Sequence, residues 1–162
     1  MIEAARLLEK YAAPVPRYTS YPTAPHFADG AGPALWQDML DGIRETDPVS
    51  VYVHVPFCDR LCWFCGCHTK HVRQYEPVKA YMASLGKEIE LVGSGMAARA
   101  RLEHLHLGGG SPSLLHRQEL AQLRSLLEAA FHIDKDSEIS VEIDPSDMAG
   151  DTFEGLRDLG LT

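Results

Sequence analysis

The chain has 162 residues, 45% of them hydrophobic and 23% charged, with a formal net charge of −8, which is the composition of one globular domain with a sizeable core. It has no cluster of lysine and arginine that would indicate a nucleic-acid-binding surface, and no apolar run long enough to span a membrane. The N-terminus lacks the apolar core of a signal peptide and the four cysteines crowd into residues 58–67, a poor disulfide framework, so we expect a cytoplasmic protein.

Residues 1–48 are predicted to form an N-terminal arm with short helices, separate from residues 49–162. One helix is expected over Ile2–Tyr11 and a second over Trp36–Glu45, which Pro48 follows. Between the two helices, prolines favour an extended chain: Pro14, Pro16, Pro22 and Pro25.

Beyond the arm, strands alternate with helices. Valines at every second position predict a strand over 49–55, and alternating runs predict further strands at His104–Leu107 and Ile139–Asp144. Apolar stripes at helical spacing predict three helices: one from about Pro77 to Val92, ended by Gly93 and Gly95; one capped by Ser111 or Ser113; and one from near Asp151, with Glu154 in a capping box and Phe153 directed inward.

Each predicted strand has one apolar and one polar face. Strands that are buried on both sides of a doubly wound sheet consist of continuous apolar runs, so this alternation favours helices on one face and a cavity on the other. We therefore predict an α/β fold in which three βα units with parallel strands form part of an open or partial (β/α) barrel. Because three units cannot close a barrel, we expect the chain to be the N-terminal portion of a longer protein.

All four cysteines lie on one loop after the first predicted strand: Cys58, Cys62, Cys65 and Cys67. Gly66 is expected to allow a tight turn between the last two. Structural zinc sites usually take two pairs of ligands far apart in sequence, whereas three thiolates on one loop suit a [4Fe–4S] cluster with one iron left open. The spacing alone leaves a cluster and a zinc ion both open.

Two further features are predicted at the same edge of the sheet as the cysteines. The glycine run 108–110 ends the second strand, and Glu142 lies near the end of the third. Active sites of (β/α) barrels gather at the C-terminal ends of the strands. Glycines let the backbone approach a ligand closely and an ionised carboxylate accepts hydrogen bonds, so we expect these residues to face a common ligand.

The residues that flank the cysteines favour the cluster. Cys-x3-Cys-x2-Cys with Phe64 before the third cysteine resembles the cluster loop of radical S-adenosylmethionine enzymes. The strings 52–58 and 65–67, together with residues 16–24, resemble the oxygen-independent coproporphyrinogen III oxidase family within that group. This resemblance covers nearly the whole chain and implies that family's fold, a partial (β/α)6 barrel.

The resemblance also implies the ligands of the two cofactors. Cys58, Cys62 and Cys65 are the expected ligands of a [4Fe–4S] cluster, and Cys67 is expected beside the site as a candidate catalytic residue that binds no iron. This family binds two molecules of S-adenosylmethionine. The expected contacts are Tyr52 and Glu142 to one molecule, with Glu142 on its ribose hydroxyls, Phe64 to the second, and Gly109, Gly110 and Ser111 to the amino group.

The activity that the resemblance implies is the oxygen-independent conversion of coproporphyrinogen III to protoporphyrinogen IX by oxidative decarboxylation of two propionates. An unidentified electron donor and acceptor take part, and the protein acts as a monomer. Two alternatives stay open: a haem-carrying relative with the same loop, and a zinc-binding or redox-sensing module without catalysis. Haem-carrying relatives generally lack the fourth cysteine and the string at residues 17–23, and both are present here.

Overall fold

The structure, a computed structural model, divides into two compact units, Met1–Gly32 and Pro33–Thr162. In the smaller unit, helix α1 spans Ile2–Tyr11 as predicted, and Ala24–His26 forms a 3-10 turn. Most of the predicted motif at residues 16–24 lies outside the described residues. The described residues are 2–12, 23–30, 32–145, 148 and 150–162.

The larger unit is built on a parallel sheet. Its elements in chain order are α2 (Pro33–Asp41), β1 (Pro48–Val55), β2 (Phe57–Cys58), β3 (Lys70–His71), α3 (Glu76–Gly95), β4 (Arg101–Gly109), α4 (Arg117–Ala130), β5 (Glu138–Val141) and α5 (Thr152–Leu159). β1, β4 and β5 pair in that order, with Val53 opposite Leu107 and Leu107 opposite Val141. Because α3 and α4 form the crossovers between parallel strands, the predicted α/β fold with parallel βα units is confirmed.

One face of the sheet is buried under helices and the other is open, as predicted. The buried face carries apolar side chains that are at most 3% exposed: Val53, Val55, Leu105, Leu107 and Ile139. Burial of each such side chain contributes roughly 1.5–3 kcal/mol. On the open face, the side chains of Tyr52, His104 and Ser140 are exposed. Within the described residues, no helix has both the length and the apolar character needed to cross a membrane.

The second helix begins and ends earlier than predicted and belongs to the larger unit. α2 starts at Pro33 instead of Trp36, because the fixed φ of proline suits the first turn of a helix. It packs on α3, where Leu40 is buried and Gln37 Nε2 donates to the carbonyl of Gly95 at 2.8 Å. The larger unit therefore includes a helix from the stretch that the sequence assigned to the arm.

α3 continues through the first of the two glycines that were predicted to end it and ends at the second, Gly95. Gly93 lies inside the helix, where a Cβ would be 2.8 Å from the Cβ of Ala130 on α4. The glycine therefore serves the close approach of two helices instead of ending one of them.

The second and third strands also differ from their predicted bounds. β4 includes Gly108 and Gly109, which pair with the end of β1. β5 ends at Val141 instead of Asp144, so Glu142 lies just beyond the strand. Its backbone N–H still donates to the carbonyl of Leu107 at 2.9 Å, which extends the pairing by one bond.

Neither predicted helix cap forms. Ser113 lies in a 3-10 turn before α4, and Ser111 directly precedes that turn; both serines are buried, and Ser111 makes no side-chain cap there. α5 likewise has no side-chain cap at Asp151, and Glu154 instead accepts a hydrogen bond from Arg117 at 2.8 Å. A cross-helix ion pair has replaced the local capping box, because a long guanidinium reaches the same carboxylate.

Phe153 was predicted to face inward and is 66% exposed. Together with Ile143, Leu156 and Leu161 it borders an apolar cavity of about 320 Å³ beside β5. The apolar stripe of α5 is therefore wider than the surface that β5 and α4 cover, and Phe153 lies on its uncovered margin.

Candidate functional site

The cysteine loop is anchored at both ends by a short parallel ladder. β2 pairs with β3, and the N–H of Val72 donates to the carbonyl of Cys58 at 2.9 Å. This ladder fixes the first cysteine and the chain that follows the last, so residues 59–69 project as a loop beyond the end of β1. Cys58 is buried, whereas three thiols on the loop are exposed: Cys62, Cys65 and Cys67.

Cys58 is packed against the glycine segment 108–110, at the end of β4. The N–H groups of Gly110 and Ser111 donate to the carbonyls of Val55 and Phe57 at 2.8 and 2.7 Å. A Cβ on Gly110 would lie 2.4 Å from the carbonyl oxygen of Phe57 and 3.0 Å from Cys58 Sγ. Only glycine permits this approach, so the backbone itself places the glycine segment against the first thiol.

Burial raises the pKa of the Cys58 thiol, and hydrogen bonds with Ser111 and Thr69 oppose that effect. The thiols of Cys65 and Cys62 act in the same direction as burial, so the three cysteines are close enough to influence one another electrostatically. Metals bind the thiolate form, so a bound cation favours ionisation of this otherwise protonated group.

The donor set fits an iron–sulfur cluster. Thiolates are soft ligands that suit iron–sulfur clusters, and here they come from one loop packed against a glycine segment with no side chain in the way. Among the residues that the structure describes, no three or more His, Cys, Asp or Glu side chains are grouped to hold a metal ion. A cube-shaped cluster takes one thiolate on each iron, so its ligands do not share one ion.

Cys67 lies beside Cys65. A hydrogen bond with Cys65 raises the pKa of the Cys67 thiol, and the Glu142 carboxylate adds to that effect. Gly66, between the two cysteines, has no positive φ, and a Cβ there would meet nothing within 4 Å. The loop passes this point through open space, so the structure shows no requirement for the conformational freedom that Gly66 was expected to supply.

Glu142 is held over the end of β4. Its Oε2 accepts a hydrogen bond from the N–H of Gly109 at 3.2 Å, and its Oε1 lies 3.5 Å from Nε2 of His106. Gly109 has a φ of +115°, a conformation that favours glycine, and a Cβ there would meet the ring of His54 at 2.9 Å. The glycine segment thus approaches Cys58 at one residue and Glu142 at the preceding one.

Tyr52 completes this group of side chains on the open face. Its ring stacks on that of His106, with centroids 5.8 Å apart and planes inclined at 17°. A Cβ on Gly108 would lie 3.0 Å from the Tyr52 hydroxyl and 3.1 Å from Glu142 Oε2, so the two side chains meet above this glycine. Partial burial, followed by the Glu142 carboxylate, raises the pKa of the Tyr52 hydroxyl.

Phe64 lies apart from these residues, since its side chain is 93% exposed on the cysteine loop. Its neighbour Trp63 is fully exposed. The structure therefore brings together Tyr52, Gly109 and Glu142 on one side and Cys58, Gly110 and Ser111 on the other, with Phe64 projecting from the loop between the cysteines.

Two contacts that hold the cysteine loop were not predicted. The ring of His54 joins the Tyr52 hydroxyl, 3.1 Å from Nδ1, to the carbonyl oxygen of His68, 2.9 Å from Nε2. Arg60 donates to the Asp144 carboxylate at 3.3 Å. Strand alternation placed His54 on the open face, but no sequence pattern shows which residue of an irregular loop it reaches.

Comparison with known proteins agrees with this geometry. The sequence model of the Radical SAM superfamily matches residues 52–162. An oxygen-independent coproporphyrinogen III oxidase from Paracoccus denitrificans is 42% identical over 149 residues, which are 92% of this chain and 33% of that protein. The protein of the same name from Escherichia coli K12 is 38% identical over 155 residues, which are 96% of this chain and 34% of that one.

A solved structure shows the same similarity. Coproporphyrinogen III oxidase from Escherichia coli, described as a radical SAM enzyme, matches with a TM-score of 0.79 at 34% identity, covering 96% of this chain and 34% of that one. The chain therefore spans about a third of the length of the relatives that it matches.

The resemblance that the cysteine motif indicated is thus confirmed, since the family model matches residues 52–162 and the relatives match most of the chain. Proteins of this group use a [4Fe–4S] cluster and S-adenosylmethionine. From the arrangement of its parallel strands and cysteine loop, and from the family match that covers residues 52–162, the chain belongs to the radical SAM superfamily.

Proposed function

We propose that the chain is the N-terminal part of an oxygen-independent coproporphyrinogen III oxidase. Such an enzyme converts coproporphyrinogen III to protoporphyrinogen IX by oxidative decarboxylation of two propionates. The observation that best supports the proposal is that the cysteine loop, the glycine segment and Glu142 meet at one end of the sheet. Relatives that carry this name match over 91% or more of the chain.

The cysteines have two roles in this proposal. Cys58, Cys62 and Cys65 bind the cluster through one thiolate each, with Cys58 held by the backbone of Gly110. Cys67 binds no iron and, being hydrogen-bonded to Cys65 and close to Glu142, is a candidate catalytic residue. When bound, the reduced cluster and S-adenosylmethionine supply the radical that takes a hydrogen atom from the substrate.

The remaining site residues bind and orient S-adenosylmethionine. Glu142 accepts hydrogen bonds from the ribose hydroxyls with the lone pairs that Gly109 leaves available. Tyr52 contacts the same molecule, since its hydroxyl lies above Gly108 beside the carboxylate. The amino group binds at Gly109, Gly110 and Ser111, where the two glycines leave the backbone open to it. Phe64, which projects from the loop, contacts a second molecule.

The chemistry also requires two electron partners. For each propionate, one electron enters from a donor, one hydrogen atom is removed, carbon dioxide leaves and one electron passes to an acceptor, so that a vinyl group remains. Free thiols on an exposed loop suit a reducing compartment, so we place the enzyme in the cytoplasm, where it acts as a monomer.

The test uses the full-length protein that contains this chain, reconstituted with iron and sulfide without oxygen. We expect about four iron atoms per chain, cluster absorption, binding of S-adenosylmethionine, and release of carbon dioxide from coproporphyrinogen III. One zinc ion without cluster absorption would contradict the proposal in favour of a zinc-binding module. A cluster-loaded protein that carries haem and leaves coproporphyrinogen III unchanged would favour the haem-carrying alternative.

A further inference from the structure

The ring of His106, on β4, lies between Ser140 and Glu142, and each of its nitrogens has one of them as a partner. Nδ1 is 2.8 Å from Oγ of Ser140, which lies opposite His106 on β5. Nε2 is 3.5 Å from Oε1 of Glu142. Tyr52 stacks on the face of the ring. Two paired strands and a stacked aromatic thus fix the orientation of the imidazole.

The Ser140 hydroxyl suits an imidazole that carries a hydrogen on the nitrogen facing Glu142. A hydroxyl both donates and accepts, and Ser140 Oγ also lies 3.4 Å from the carbonyl oxygen of Leu105. An ionised carboxylate only accepts hydrogen bonds, so beside Glu142 the hydrogen of a neutral ring belongs on Nε2, and Ser140 then donates to Nδ1. In a charged ring, Nδ1–H donates to Ser140, whose hydroxyl turns to Leu105. In both states Nε2 carries a hydrogen on the side of the Glu142 carboxylate, whose Oε1 lies 3.5 Å away.

Glu142 depends on such a partner because of its position. It lies beyond the last residue of β5, and its side chain is 58% exposed. The N–H of Gly109 holds Oε2 and leaves Oε1 to rotate about that contact. Fixing a glutamate side chain costs up to about 1.5–2 kcal/mol of rotamer entropy, so a carboxylate that is already oriented binds its ligand more tightly.

We propose that His106 is a positioning residue, which together with the N–H of Gly109 holds the Glu142 carboxylate in the orientation that receives the ribose hydroxyls of S-adenosylmethionine. The inference rests on the proposed function and assigns a role on the binding face to the pair formed by His106 and Ser140. Each carboxylate oxygen has a second lone pair, so these two contacts leave acceptor positions for the two hydroxyls.

The test is a double-mutant cycle in the full-length protein, reconstituted without oxygen and titrated calorimetrically with S-adenosylmethionine. In His106→Asn the amide nitrogen stays near the Nδ1 position, beside Ser140, but does not reach Glu142. We expect affinity to fall about tenfold, the size of one hydrogen bond to a charged group, with iron content unchanged. The double variant with Glu142→Gln should bind no more weakly than Glu142→Gln alone, because His106 acts through that carboxylate.

A second variant and a matched control complete the test. His106→Gln places an amide near the Nε2 position and should recover part of the lost affinity. His104→Asn changes a histidine on the same open face, whose Nδ1 lies 3.3 Å from the Glu138 carboxylate, and should bind as the wild type does. If circular dichroism shows that His106→Asn fails to fold, the affinities of His106→Gln and His104→Asn are compared instead. Weaker binding by His106→Gln supports the inference, and equal binding overturns it.

Three results would overturn the inference while the proposed function stands: wild-type affinity in His106→Asn, a loss that adds in full to that of Glu142→Gln, or an equal loss in His104→Asn. A wild-type protein that binds a cluster but no S-adenosylmethionine would instead contradict the proposed function. The two failures are therefore distinguishable in one set of titrations.

Discussion

At the residue scale, the four cysteines differ in their surroundings. Cys58 is buried against Gly110, whereas Cys67 is exposed and hydrogen-bonded to Cys65. A three-ligand cluster depends on every one of its thiolates, so Cys58→Ala, Cys62→Ala and Cys65→Ala should each lose the cluster in the full-length protein. Cys67→Ala, the matched control on the same loop, should keep it. Iron and sulfide analysis after anaerobic reconstitution is the measurement.

Two outcomes would contradict this assignment. One is an unchanged iron content in any of the three ligand variants, and the other is loss of the cluster in Cys67→Ala. The second result would make Cys67 a ligand and would leave one of the other exposed thiols beside the site.

Glu142→Gln tests the expected ribose contact. The amide keeps the size of the side chain and one acceptor oxygen but replaces the other oxygen with a donor. Hydrogen bonds to charged groups contribute roughly 1.5–3 kcal/mol, so binding of S-adenosylmethionine should weaken about tenfold to a hundredfold, with iron unchanged. Turnover should fall at least as far. Anaerobic calorimetry beside an iron assay measures both, and wild-type affinity would show that Glu142 is only a solvated side chain on an open face.

The sequence predicts a single side chain well where one simple period governs it. Strand alternation placed Tyr52 and His54 on the open face, and the structure agrees. It could not show that His106 reaches Ser140, because that contact depends on the register between β4 and β5. Ser111 was predicted as a helix cap, but its hydroxyl instead forms a hydrogen bond with Cys58, a neighbour that only the folded chain provides.

At the scale of elements, the contact between the glycine segment and β2 sets the position of the first thiol. In Gly110→Ala the new Cβ would lie 2.4 Å from the carbonyl oxygen of Phe57, so β2 has to move and Cys58 moves with it. Overpacking of this kind costs typically about 1–3 kcal/mol. We expect a lower melting temperature and incomplete cluster loading of the full-length protein, measured by thermal denaturation and iron analysis.

Gly66→Ala is the control for that variant, because a Cβ at this glycine of the cysteine loop meets nothing within 4 Å. It should match the wild type in melting temperature and iron content. Equal behaviour of the two variants would show that the close approach at Gly110 does not matter for the cysteine loop.

The link between α3 and β1 should make stability depend on alkaline pH. The Tyr81 hydroxyl donates to the carbonyl of His54 at 2.6 Å, and burial raises the pKa of Tyr81 to about 12, from an ordinary value of 10.0. The folded state therefore favours the neutral phenol. The stabilisation that the neutral Tyr81 phenol gives to the folded state is fully present below pH 10 and is lost as the pH rises from 10 through about 12.

Tyr81→Phe isolates this effect. The free energy of unfolding should fall by roughly 0.5–1.5 kcal/mol near neutral pH, because one hydrogen bond is lost, and should decline less steeply above pH 10 than in the wild type. Denaturant titrations of the full-length protein at about pH 8 and about pH 11 measure both terms. Tyr11→Phe, at an exposed tyrosine of α1, is the control. If the free energy of unfolding of Tyr81→Phe declines as steeply above pH 10 as that of the wild type, Tyr81 does not cause the alkaline loss of stability.

Types and order of elements in the larger unit followed from the sequence, whereas their ends often did not. Gly93 has the residue type that ends helices, yet α3 continues through it because Ala130 packs there. β5 stops at Val141 although the alternation continues to Asp144, since a strand extends only as far as a neighbour pairs with it. Local period fixes the type of an element, and contacts between elements fix its ends.

At the scale of the whole molecule, the outer edge of β5 can pair with another strand. The N–H of Thr162 donates to the carbonyl of Ile139 at 3.1 Å, and the N–H of Ile139 donates to Oγ1 of Thr162 at the same distance. Beside this edge, exposed apolar side chains border the cavity of about 320 Å³: Ile143, Phe153 and Leu161. This supports the proposal that a further βα unit continues the barrel here.

The 162-residue chain on its own should therefore be marginally stable and bind a cluster poorly. Among the described residues of the larger unit, nothing forms an opposing wall over the open face, and an uncovered strand edge beside apolar surface favours aggregation. We expect no cooperative melting transition above about 65 °C, the upper end for ordinary domains, and incomplete iron loading, whereas the full-length protein should load fully.

Phe153→Lys should reduce aggregation of the isolated chain, measured by size-exclusion chromatography, but destabilise the full-length protein. Exposed Leu8 on α1 provides the control, since Leu8→Lys should leave the full-length protein unchanged. A cooperative high-temperature transition with complete iron loading in the isolated chain would mean that three βα units suffice to hold the cluster.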